Sequence, residues 1–123
     1  MGCSCSCGSG TKLVYSCSGS ANVGECADRV FRQLKKDGTA AGSCLAAIGA
    51  DLAGYVQSAS GSDMNIVIDG CHIDCGKKIF DKRGLSHRHY VITDFGVEKG
   101  KTDITEEIIN SIAAKIAADM DRG

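Results

Sequence analysis

Four short runs of strand-type residues alternate along this chain with segments of helical periodicity, and that alternation restricts the fold more than any other feature. KLVYS (Lys12–Ser16) carries the β-branched and aromatic residues of a strand, and CSGSANVG supplies a strand-to-helix turn. From Asn22 to Lys36, the residues Val23, Cys26, Ala27, Val30, Phe31 and Leu34 recur at helical spacing, with a stop signal at Asp37-Gly38. TAAGSCL (39–45) reads as a short strand because helices flank it, the second running over 45–58. MNIVI (64–68) is a buried strand, CHIDCGKKIFDKRG (71–84) a helix closing on glycine, and HRHYVITDF (87–95) a fourth strand. Thr105 caps a last helix, whose Ile108, Ile109, Ile112, Ala113 and Ile116 make the core stripe.

Parallel strands need crossover helices, so this order predicts an α/β fold: a small three-layer domain with a mainly parallel four-stranded sheet and helices on both faces. Residues 12–123 are expected to form that single domain, and the Cys/Gly/Ser-rich 1–11 a flexible tail. No proline occurs, so glycine alone punctuates the helices. A formal charge of -1 over 123 residues excludes the basic excess of a nucleic-acid binder. Apolar runs are short and the first residues have no leader character, so no membrane span is expected and a cytoplasmic location is.

In a reducing compartment, eight cysteines point to metal binding or thiol chemistry rather than a disulfide framework. All strands of a parallel sheet end on one edge, where such folds place their sites. Cys17 follows the first strand, Cys44 closes the second and Cys71 follows the third. On a helix opening at Cys71, Cys75 lies one turn along, with about 5–6 Å between the Cβ atoms. Four thiolates converging there suit Zn²⁺, with bonds of about 2.3 Å. Such a site carries a formal charge of about -2. The helix N-terminus at Cys71, with Lys77 and Lys78 in the following turns, is expected to compensate it. A rival reading makes Cys71 a nucleophile activated by that N-terminus and Cys75 its resolving partner. The plainest alternative treats each cysteine as a small buried hydrophobe.

Other residues divide between roles. Cys3, Cys5 and Cys7 suit soft metals if the tail holds them, and MGCSCS also fits a myristoylation pattern. His87 and His89 share a face at the amino end of the last strand, away from the cysteines, and read as surface or capping residues. Asp69 is expected to accept N–H groups at the start of the following helix. Asp94 faces the crevice, either beside a ligand or as a solvated loop residue. A C-x₅-R phosphatase loop would need arginine where Val23 stands. The C-x₃-C spacing differs from C-x-x-C, and no G-x-G-x-x-G follows a strand.

VYSCSGSANVGECA, SCLAAIGA, IVIDGCHIDCGKKIF and HYVITDFGVEKGK, in this order and spacing, resemble the DGC-domain family, named for the triplet that here is Asp69, Gly70 and Cys71. The likeness covers about 12–120. It implies a zinc site built from Cys17, Cys44, Cys71 and Cys75 and no defined reaction; a structural or metal-handling role for that zinc is the expectation from its four sulfur ligands. His72 beside the triplet is an alternative ligand, while Cys26 and the tail cysteines fall outside the family pattern.

Overall fold

The computed structural model describes residues 10–122. Strands β1 (Lys12–Ser16), β2 (Ala41–Gly42), β3 (Met64–Asp69) and β4 (Arg88–Val91) form one sheet in the order β2-β1-β3-β4, with every neighbouring pair parallel. The helices are α1 (Asn22–Lys36), α2 (Leu45–Gly49), α3 (Ala53–Gly61), α4 (Cys75–Lys82) and α5 (Glu106–Asp121). The expected α/β class holds, with helices on both faces of an all-parallel sheet.

Alternation along the strands sorts the core into two halves. Val14, Ile66 and Ile68 point to one side, where Val23, Val30 and Leu34 of α1 and Ile109, Ile112 and Ile116 of α5 cover them. Tyr15 and Val67 point to the other, against Ile48 of α2, Ala59 of α3 and Phe80 of α4. Both halves are sealed, as a parallel sheet requires. Asn65, buried among them, is fully partnered: its amide donates to the Ala59 and Ser86 carbonyls and its oxygen accepts from Tyr15 and Ser62. On α5, the Thr105 hydroxyl caps the Ile108 N–H as expected.

Chain direction reverses at β1: the first crossover leads out to β2, the next returns past β1 to β3. The carboxyl ends of β1 and β3 therefore flank a topological switch point, the place where such sheets open a crevice. The Cys17 N–H closes that end of the pair by donating to the Ile68 carbonyl at 2.9 Å.

Four boundaries differ from the sequence reading. The strand expected over 39–45 is the two residues of β2. The helix expected over 45–58 is two helices, because Asp51 adopts a left-handed φ of 62° between them. The fourth strand stops at Val91, and Ile92–Phe95 turn into a 3₁₀ helix. The helix expected to open at Cys71 begins at Cys75 instead.

Candidate metal centre

The triplet Asp69-Gly70-Cys71 does three separate mechanical jobs. Asp69 ends β3 and its carboxylate, 1% exposed, reaches over the next turn to accept the Gly76 N–H at 2.8 Å and the Lys77 N–H at 3.0 Å. It thereby caps the first turn of α4, as the sequence suggested, in place of the Asp74 side chain at the formal cap position, which makes no capping bond. Gly76 leaves room for it: a Cβ there would meet Asp69 Oδ1 at 2.9 Å and Val67 Cγ1 at 2.7 Å. Gly70 lets the strand end pass the first turn of α1, since a Cβ there would stand 2.8 Å from the Val23 carbonyl carbon. Cys71 is then delivered to the crevice, partly packed against the α1 and α5 side of the core.

Cys17, Cys44 and Cys75 line one hollow of about 520 Å³ at the carboxyl edge, floored by Phe31, Leu45 and Ile79. Each sits at a different element boundary: after β1, at the N-cap of α2, and at the first residue of α4. Cys71 lies outside that lining. Its sulfur accepts from Lys99 Nζ at 3.4 Å, and Cys17 Sγ accepts from the Gly19 N–H at 3.4 Å. Among the described residues, no three of these sulfurs lie within 4.8 Å of one another. Cys26 is fully buried in α1, and burial pushes its thiol up to about 11. Cys3, Cys5 and Cys7 lie outside the described residues.

The cation against Cys71 is not one the sequence reading named. Lys77 is engaged with Asp81 at 2.7 Å, whereas Lys99 comes from the turn after the 3₁₀ helix. Asn22 fastens that turn: its amide donates to the Glu98 and Thr102 carbonyls at 3.1 and 2.8 Å, and its oxygen accepts the Gly100 N–H at 2.7 Å. Nothing local in the sequence links residue 22 to residue 99.

The helix start at Cys75 also removes the geometry on which the thiol-enzyme reading rested. Residues 71–74 form a turn closed by the Asp74 N–H on the Cys71 carbonyl at 3.2 Å, so Cys71 has no helix N-terminus at its sulfur and Cys75 is not one helical turn away.

One histidine is placed differently from expectation. His89 is no surface residue: only 18% exposed, it turns toward the cysteine edge, with Nε2 2.8 Å from Asp69 Oδ2 and 3.7 Å from Asp74 Oδ1. Register explains this, because His89 pairs with Val67, which lies on the same sheet face as Asp69. Asp69, Asp74 and His89 form the one group among the described residues whose potential ligand atoms all lie within 4.8 Å. His72 is exposed and paired with Asp94 at 2.7 Å. That hydrogen bond, with the carboxylate's charge, raises the imidazole pKa.

A family model described as "DGC domain" matches residues 13–116. The chain is also similar to the "Anaerobic and virulence modulator AnvM" of Pseudomonas aeruginosa, at 30% identity over 88 residues, which span 71% of this chain and 67% of that protein. No solved structure matches the chain. No helix among the described residues is long and apolar enough to cross a membrane.

Proposed function

The chain belongs to the DGC-domain family, and on that premise we propose that it is a zinc-binding protein in which Cys17, Cys44, Cys71 and Cys75 hold one Zn²⁺ at the carboxyl edge of the sheet. The observation that carries this is the shared hollow: three cysteines distant in sequence line one cavity beside the switch point. The donor set suits the metal, since all four ligands are sulfurs and Zn²⁺ takes thiolates readily. Lys99 against Cys71 supplies positive charge to a site that would otherwise carry about -2. Because the four sulfurs ride on turns and helix starts rather than on strand interiors, they can be drawn together without disturbing the sheet.

Four sulfur ligands leave no open position for water, which favours structural zinc or metal handling over hydrolysis. Zn²⁺ in such a site cross-links turns that the sheet only aligns.

The test is elemental analysis of chain purified without added metal. About one zinc per chain is expected, falling several-fold in each of Cys17→Ser, Cys44→Ser, Cys71→Ser and Cys75→Ser and unchanged in Cys26→Ala. Metal-free wild-type chain that also fails to take up added Zn²⁺ would refute the reading.

A further inference from the structure

We propose that Asp69, Asp74 and His89 form a second divalent-cation site, built from oxygen and nitrogen donors and distinct from the cysteines. Donors bound at about 2.0–2.2 Å around a tetrahedral or octahedral ion stand about 2.9–3.5 Å from their neighbours. His89 Nε2 lies 2.8 Å from Asp69 Oδ2 and 3.7 Å from Asp74 Oδ1, and all three atoms fall within 4.8 Å. The two His89 separations bracket that spacing, so a small side-chain adjustment brings the three donors onto one ion.

One feature marks the group as unfinished without a cation. Asp74 Oδ1 is buried with no hydrogen-bond partner, although Asp74 as a whole keeps 25% of its side chain exposed. A buried carboxylate oxygen left unpaired is costly. Asp74 adopts a left-handed φ of 61°, which aspartate tolerates better than most residues. That turn aims the orphan oxygen at His89. Neither the Asp69 nor the Asp74 carboxylate has a lysine or arginine side-chain nitrogen within 4 Å among the described residues. Two carboxylates and a neutral imidazole give a formal -2, which a divalent cation neutralises.

Binding needs one rearrangement: the single proton of the neutral His89 ring sits on Nδ1, exchanged there through solvent if it starts on Nε2, and the hydrogen bond to Asp69 Oδ2 gives way to two ligand bonds. Asp69 keeps its grip on α4, since the Gly76 and Lys77 N–H groups occupy other lone pairs. Carboxylate and imidazole donors accept Mn²⁺, which thiolates bind poorly, so Mn²⁺ reports this site and not the cysteines.

Mn²⁺ is therefore the probe, followed by loss of its free-ion electron paramagnetic resonance signal on titration with metal-stripped full chain. One saturable Mn²⁺ is expected, with selective broadening of the His89 ring resonances. Asp74→Asn, which tolerates the left-handed backbone and keeps the fold, should weaken it at least 10-fold, and His89→Gln similarly. The Cys17→Ser/Cys44→Ser double variant should bind Mn²⁺ as wild type does, so failure of the zinc reading leaves this result standing. Absence of saturable binding, equal binding by Asp74→Asn, or loss in the cysteine double variant would each overturn the proposal.

Discussion

Asp69→Ala tests whether the first residue of the triplet holds α4 in place. The substitution takes the acceptors from two backbone N–H groups and from His89, at 2.8, 3.0 and 2.8 Å, all at a carboxylate 1% exposed. Loss of a helix cap costs about 1 kcal/mol and up to ~2. Loss of a hydrogen bond to a charged acceptor costs about 1.5–3 kcal/mol. Relief of the carboxylate's own desolvation offsets part of the sum, leaving a net loss of about 2–4 kcal/mol. At about 4 °C per kcal/mol for a chain of this size, the melting temperature falls by roughly 8–16 °C. Urea unfolding in chelator, followed by circular dichroism, isolates the cap from any metal. The midpoint should drop with the slope unchanged. Asp69→Asn keeps one acceptor oxygen and should lose about half as much. An alanine variant within about 0.5 kcal/mol of wild type, the range of an ordinary surface substitution, would refute the capping role.

Other expectations follow from single contacts. Gly70→Ala forces a methyl group against the Val23 backbone, which cannot swing aside, and should cost about 1–3 kcal/mol in the same urea assay. The Cys26 thiol is raised from 9.0 to about 11, so the unfolded chain ionises first: its stability contribution is intact below pH 9 and is lost as pH climbs toward 11. Melting temperatures of wild type and Cys26→Ala measured across that window should diverge accordingly, with tyrosine ionisation common to both chains. Lys99→Glu replaces the cation beside Cys71 and should weaken zinc affinity by about 10-fold in a competition assay with a chromophoric chelator.

The elements with strong periodicity were legible. Helix α1 matched its expected bounds because Val23, Cys26, Ala27, Val30 and Leu34 face one core, and β3 announced itself by its apolar centre, Ile66-Val67-Ile68. The split between α2 and α3 was not legible, since the residue that stops α2 is a left-handed aspartate rather than a glycine or proline. The start of α4 misled for a related reason. Asp69 was legible as its cap, but the carboxylate reaches seven residues on to Gly76, which leaves 71–74 in a turn and opens the helix at Cys75. The cysteines were readable as an edge set because parallel topology alone places them there. The Asp69–His89 contact and the Lys99–Cys71 contact were not, for each depends on register or on a loop pinned by Asn22. A hint did exist for His89: on a fourth parallel strand beside β3, its side-chain face is shared with Asp69.

Zinc K-edge X-ray absorption on the purified full chain tests the central claim most directly. The account predicts a shell of four sulfurs at about 2.3 Å, collapsing when any of Cys17, Cys44, Cys71 or Cys75 is replaced by serine. A shell composed only of nitrogen and oxygen at about 2.0–2.2 Å would contradict it, placing the zinc away from the cysteines.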